Sequence, residues 1–362
     1  MIIFLVVFIT FGIVVELFSL RDKSTNVEYK CTPSKIGCEP DEIFQIKTVV
    51  SNYSPRTIPF LKMEEEFPKD IILQNGETIY ISGGSCLYIS TIFVQPKQKI
   101  TRTIQVSLPN RGLYFLEGCR FHSGDFLGLK ENYKDIKQRE EIIIYPRVLR
   151  EEKVLEALAG FYGDYVVRRF YIEDPMLINS YQDYTGREPM RSISWTQSAK
   201  KNRLMVKEFD HTVEMSVTIL LDVCLHWSEG IHTQELEYCY SLVRTIAEYM
   251  EHKKISYRLL SNTYNRSGNT VSEALEKPGQ GSHHFTMLLN TLGQAEPNTF
   301  TDMNDLYNMS ISKYNGENTI FYVAPLENEK RRTLVNHLHN KLGSQIYPMY
   351  ASELMEVDKH VI

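Results

Sequence analysis

The chain has 362 residues, a length that holds two domains or one large one. Apolar residues make up 43% and charged residues 23%, which excludes a mainly disordered chain, a collagen-like repeat and a polytopic membrane protein. Its 40 Lys and Arg against 45 Asp and Glu give a net charge of −5, without the overall basic footprint of a nucleic-acid binder, and its six cysteines are too few for a disulfide-dense secreted scaffold.

The first twenty residues stand apart. Ile2 to Val15 carries no charge, and the apolar run then reaches Leu20 with only Glu16 as a charged interruption. At about 1.5 Å per residue, such a run read as a helix crosses the ~30 Å hydrocarbon core of a bilayer. No basic residue precedes Ile2 and no A-x-A pattern follows, so residues 1–20 are predicted to be an uncleaved transmembrane anchor rather than a signal peptide. Arg21, Lys23, Lys30 and Lys35 come next. The positive-inside rule then predicts a single-pass protein of the cell membrane with its soluble part in the cytoplasm.

Residues 26–150 are predicted to form a β-sandwich. Short runs at 27–35, 42–54, 60–67, 78–81, 87–95, 100–108, 112–122 and 141–145 are rich in Ile, Val, Thr, Tyr and Phe. Many alternate: Ile43, Gln45, Lys47 and Val49 fall on one face, Phe44, Ile46 and Thr48 on the other. Turn sequences such as Asn52-Tyr53-Ser54-Pro55 and Pro109-Asn110-Arg111-Gly112 separate them, and seven or eight short antiparallel strands fit two packed sheets.

Residues 151–212 read as a connecting segment. A helix is expected from Glu151 to Leu158, ahead of Gly160, and then a Tyr- and Arg-rich stretch without clean periodicity. From 213 to 350 the pattern alternates: strands at 213–223, 256–261, 319–324 and 344–349, helices at 233–252, 285–292 and 327–342. Such alternation predicts a mostly parallel sheet covered on both faces, an α/β doubly wound domain. The chain as a whole is therefore expected to be an α+β multidomain protein: anchor, β-sandwich, connecting segment, α/β domain.

Asp222 closes the first strand of the α/β unit, at the sheet edge where such folds bind ligands. Von Willebrand factor A-like domains hold a divalent cation there with Asp-x-Ser-x-Ser, a carboxylate and two hydroxyls. Here Asp222-Val223-Cys224-Leu225-His226 offers a thiol and an imidazole, softer donors ill suited to magnesium, so the site reads as a degenerate cation site with no metal or cofactor expected. Cys224 and His226, two apart on an extended chain, share a face; a thiol-dependent hydrolase is the alternative they raise, although no third orienting group is apparent. His283-His284 and His337-x-His339 lack zinc-site spacing and read as surface histidines. Cys31 and Cys38 are able to pair only in an oxidising space. Phosphate loops, G-x-S-x-G and H-E-x-x-H are all absent.

The most unusual stretch is basic. Arg187, Arg191, Lys200, Lys201, Arg203 and Lys207 stand against a single Glu188, with Trp195 among them. Arg and Trp are enriched at interface hot spots, so Arg187, Arg191, Trp195, Lys200, Lys201 and Arg203 are candidate partner-binding residues. The plainer reading has Trp195 and Ile193 packing inward beneath a solvated charged face.

Several blocks resemble a bacterial family, domain of unknown function 58. They are Arg111-Gly112-Leu113-Tyr114, Asp125-Phe126-Leu127-Gly128-Leu129 and Ile144-Tyr145-Pro146. The most specific follows: Thr185-Gly186-Arg187-Glu188-Pro189-Met190-Arg191, Ile193-Ser194-Trp195, Ser198-Ala199-Lys200 and Leu204-Met205-Val206-Lys207. The resemblance spans about residues 105–225 and departs from the family where the turn reads GREPMR instead of GD-x-x-R. It implies a membrane-anchored protein with a C-terminal von Willebrand factor A-like domain and no established enzymatic activity. The implied role is a protein-interaction scaffold for a MoxR-type AAA+ ATPase in cell-envelope or protein-complex maturation. An exported envelope-binding protein is the alternative if the topology is inverted.

Overall fold

The computed structural model describes residues 26–74, 79–82, 85–124, 131–171, 174–210, 216–224, 233–264, 275–296, 319–342 and 345–355, with Thr10, Asn308 and Ser312. Apart from Thr10, the expected anchor at 1–20 lies outside these residues, as does the Asp125–Leu129 block. No described helix is long and apolar enough to cross a membrane. The fold is mixed α/β, and the chain divides into two compact units: Met1–Arg147 with Leu292–Ala295, and Val148–Thr291 with Glu296–Ile362.

The first unit contains strands β1 (Val27–Pro33), β2 (Gly37–Cys38), β3 (Phe44–Asn52), β4 (Ile58–Pro68), β5 (Ile72–Leu73), β6 (Ile79–Ser82), β7 (Ser85–Val94), β8 (Lys99–Ser107), β9 (Gly112–Gly124) and β10 (Glu131–Ile144). They form a four-stranded sheet, β1-β3-β8-β5, and a six-stranded sheet, β2-β10-β9-β4-β7-β6. Alternation drives the arrangement. In β3, Phe44, Ile46, Thr48, Val50 and Asn52 are buried while Gln45 and Lys47 are exposed. Inner residues of both sheets, among them Ile46, Val50, Ile104 and Val106 with Leu61, Met63, Phe67 and Phe121, share one core, a sandwich-like packing.

Among the described residues of this core, one charge is buried. Glu65 is fully buried; its Oε1 accepts from the Tyr29 hydroxyl at 2.8 Å and Thr48 Oγ1 at 3.0 Å, and its Oε2 pairs with Arg102. Arg102 also reaches Ser90 Oγ at 2.7 Å and lies 4.7 Å from the Tyr88 ring centroid. Burial, and then the Glu65 charge, push the Tyr29 phenol above its ordinary value. The six cysteines are free, five of them buried and Cys224 half-buried.

The second unit opens with α1 (Glu152–Tyr171). This helix does not stop at Gly160. Val154, Leu158, Phe161 and Tyr165 form one buried stripe running past Gly160 and Gly163, and a continuous apolar face outweighs the roughly 1 kcal/mol cost of each glycine. The stretch without clean periodicity contains β11 (Asp174–Asp183) paired antiparallel with β12 (Met205–Asp210), and between them a 3₁₀ turn at Met190–Ser192 and α2 (Trp195–Lys201). The remaining elements are β13 (Val217–Leu221), α3 (Thr233–Lys253), β14 (Tyr257–Ser261), α4 (Ser282–Gln294), β15 (Thr319–Ala324), α5 (Glu329–Leu342), β16 (Ile346–Tyr350) and α6 (Ala351–Leu354). The four strands form a parallel sheet in the order β14-β13-β15-β16. Every residue of β13, β14 and β15 is buried, as expected of a parallel sheet covered on both faces. Leu334, Val335 and Leu338 of α5 pack with Leu220, Leu260, Ile320 and Tyr322 on one face. On the other, Phe161 of α1 meets Phe321 and Tyr347 edge-on.

Candidate functional site

Two places in the second unit hold the residues singled out by the sequence. The first is the C-terminal edge of the parallel sheet. β13 and β15 are neighbours, while β14 and β16 lie outside them on opposite sides, so the edge between β13 and β15 is the topological switch point where open α/β sheets bind ligands. Asp222 follows β13 directly and is fully buried. Its Oδ1 accepts from the Cys224 backbone N–H at 3.0 Å and Asn262 Nδ2 at 2.9 Å. Its Oδ2 accepts from the Tyr322 hydroxyl at 2.7 Å and Arg331 Nε at 3.2 Å.

Arg331 supplies the charge. Its side chain is 2% exposed, and it also donates to the Leu326 carbonyl at 2.9 Å and to the Cys224 carbonyl. Asn328 Oδ1 caps the start of α5 by accepting the Arg331 backbone N–H at 2.8 Å. Asn262 Oδ1 accepts from the Val223 backbone N–H at 3.0 Å, which fixes its amide toward Asp222. Each carboxylate oxygen thus has two donors, and the positive charge is a guanidinium.

A divalent cation does not fit these residues. The two hydroxyl ligands are missing from the sequence, the carboxylate lone pairs are already taken, and a second positive charge there would face Arg331. Among the described residues no group of three His, Cys, Asp or Glu is placed to hold a metal. Cys224 is half-buried and serves this network through its backbone; His226 lies outside the described residues. Burial and then the Asp222 charge push the Tyr322 phenol well above its ordinary value.

The second place is the connection between β11 and β12. Gly186 takes a φ of +89°, which only glycine adopts readily, and the turn closes through Glu188. The Glu188 carboxylate accepts from the Thr185 N–H at 3.0 Å and the Thr185 hydroxyl at 2.7 Å. The hydroxyl bond holds the Glu188 carboxyl below its ordinary value, with backbone N–H groups adding to it. The single acid of the basic stretch is therefore engaged by its own turn.

Ile193 is buried and bridges Val206, while Ser198 Oγ donates to the Ser194 carbonyl at 2.8 Å and accepts from Met205 N–H at 2.8 Å. These contacts pin α2 against β12 and turn the neighbouring residues outward. Trp195 is 65% exposed, Met190 71% and Leu204 44%. Arg187, Arg191, Lys200 and Lys201 are exposed and make no ion pair among the described residues; Arg203 pairs with Asp183 at 2.8 Å. Of the two residues that the plainer reading packs inward, Ile193 is buried and Trp195 is not.

Sequence reasoning found Asp222 but not Asn262, Tyr322 or Arg331. They come from three other elements, and no local spacing ties them to it.

No protein-family model matches the chain, and no curated protein matches it. Among solved structures it is similar to the CARDB domain of a Pyrococcus furiosus protein, at 12% identity and a TM-score of 0.21 over 33% of this chain and 94% of that one. The sporulation control protein Spo0M of Bacillus subtilis gives 15% identity and a TM-score of 0.21 over 38% of this chain and 56% of its own. A β-glucosidase of Erythrobacter marinus gives 9% identity and a TM-score of 0.21 over 33% and 15%. Scores of this size assign neither fold family nor function.

Proposed function

We propose that the protein is a non-enzymatic, membrane-anchored interaction scaffold whose second unit is a von Willebrand factor A-like domain working without a metal. The observation that carries this reading is the exposed surface of Trp195, Met190 and Leu204 set among the cations Arg187, Arg191, Lys200 and Lys201, which make no ion pair among the described residues. Large apolar side chains gain little by facing water, and aromatic and arginine anchors are what protein interfaces use. The four cations select a partner with an acidic surface. The parallel sheet with Asp222 at the end of β13 supports the von Willebrand factor A-like assignment. The sequence resemblance supports a MoxR-type AAA+ ATPase as the partner and the cytoplasm as the compartment.

The test is co-purification of the full chain with the MoxR-type ATPase of its own cell, in ATP and in ADP. The wild type is expected to retain the ATPase in one nucleotide state. Trp195→Ala combined with Arg187→Glu and Arg191→Glu is expected to lower retention at least tenfold, with more than half of the loss reversed by a compensating charge change on the ATPase. Absence of any ATPase in both nucleotide states rejects the reading.

A further inference from the structure

Within the first unit, strand register gathers one set of exposed aromatic residues at the end where the chain enters the fold. Val27 pairs with Asn52 and Ser51 with Lys99, so the start of β1, the end of β3 and the start of β8 share one end of the four-stranded sheet. In the six-stranded sheet, Ile58 pairs with Val94 and Phe60 with Gly124 at the corresponding end. The Asn52 side chain joins the two sheets there, donating to the Arg56 and Gln95 carbonyls, each at 2.9 Å. Tyr53 N–H donates to the Asn26 carbonyl at 3.0 Å, which fixes the point of chain entry beside it.

Tyr53 is 62% exposed, Phe60 53% and Phe93 55%. The last two are opposed by a bulge: between the pairs Ile58–Val94 and Leu61–Ile92, Pro59 and Phe60 face the single residue Phe93. Pro59 turns in and Phe60 turns out. Arg56, Lys97 and Lys99 lie at the same end without an ion pair among the described residues, and Lys134 joins them by donating to the Val27 carbonyl at 2.9 Å. Among the described residues, the register brings the acids Glu28 and Glu131 to this end.

We propose that this end of the first unit rests on an anionic lipid surface, with Tyr53, Phe60 and Phe93 entering the headgroup layer and the cations meeting its phosphates. The inference rests on the reading of residues 1–20 as an anchor. Only five residues lie between Leu20 and Asn26, so even a fully extended connection holds the chain's point of entry within roughly 20 Å of the bilayer. Aromatic rings favour the interfacial layer, and each nearby basic residue adds attraction to anionic lipid.

The test uses the full chain in vesicles of phosphatidylglycerol and phosphatidylcholine. In a Cys224→Ser background the remaining native thiols are buried. Single cysteines replacing Tyr53, Phe60 or Phe93, and Ile36 or Ile43 as exposed controls just before β2 and β3, carry an environment-sensitive dye. Lipids bearing a quencher at headgroup depth are expected to reduce the signal at least twofold at 53, 60 and 93, and not at 36 or 43. Protein that floats with the vesicles and resists alkaline extraction, yet shows equal quenching at all five positions, overturns the surface contact while leaving the anchor standing. Protein that does not float overturns both. Self-quenching between labelled copies in detergent, at 60 and 93 alone, overturns the lipid assignment in favour of a second copy of this chain.

Discussion

At the residue scale, Asp222 and Arg331 are fixed to each other by burial. Removing one partner of a buried ion pair leaves the other charge without solvent or counter-ion, at a cost of about 3–5 kcal/mol. Arg331→Ala is therefore expected to lower the urea midpoint by that equivalent, whereas Arg332→Ala, whose side chain is 71% exposed, is expected to leave it unchanged. Mg²⁺ and EDTA are expected to leave the wild-type melting temperature where it is; a rise with Mg²⁺ in differential scanning calorimetry contradicts the fit argued for this site. His284 gives a pH-dependent prediction. Burial lowers its pKa from 6.5, more strongly than its bond to the Tyr257 carbonyl and the nearby Glu251 raise it, while His283 adds to the lowering. The folded state then binds fewer protons than the unfolded state, so this contribution is complete above pH 6.5 and declines as pH falls below it. Urea midpoints between pH 8 and 5 are expected to show that decline, and His284→Gln is expected to flatten it. Arg331 was not legible in sequence for a simple reason: Glu329-Lys330-Arg331-Arg332 reads as the solvated start of a helix, and only the fold separates the buried arginine from the exposed one.

At the scale of elements, legibility followed burial. Strands with one wet face alternate, and strands buried on both faces run apolar, so β3 and β15 were both plain in the sequence. β11 and β12 were not. Their pairing shifts register twice, between Asp174 and Ile178 and again before Ser180, and such slips erase a period of two. In α1, Gly160 looked like a stop because glycine is a poor helix former, but the stripe from Val154 to Tyr165 decides. A Cβ at Gly160 or Gly163 meets nothing within 4 Å, so Gly160→Ala and Gly163→Ala are each expected to stabilise the fold by about 0.5–1 kcal/mol, read as a rise in urea midpoint. Gly118 is the opposite case. Its φ is +108° and a Cβ would lie 2.1 Å from the Ile136 carbonyl oxygen, so Gly118→Ala is expected to cost stability and to loosen the β9–β10 pairing in amide hydrogen exchange.

At the scale of the whole molecule, the first compact unit is built on two β-sheets and the second on a parallel sheet. The candidate site was legible as a composition, a basic stretch with a tryptophan, but which side chains face outward required the Ile193–Val206 bridge and the Ser198 bonds. The Asp222–Arg331 centre has a consequence for how such a protein can be controlled. A metal ion occupies its place according to its free concentration, so a domain that depends on one responds to the ionic state of the cell. A guanidinium attached to the chain is present at every site in every copy, at an effective concentration set by the fold. For this domain the charge that balances Asp222 belongs to the chain itself, so it does not vary with the free concentration of any divalent cation.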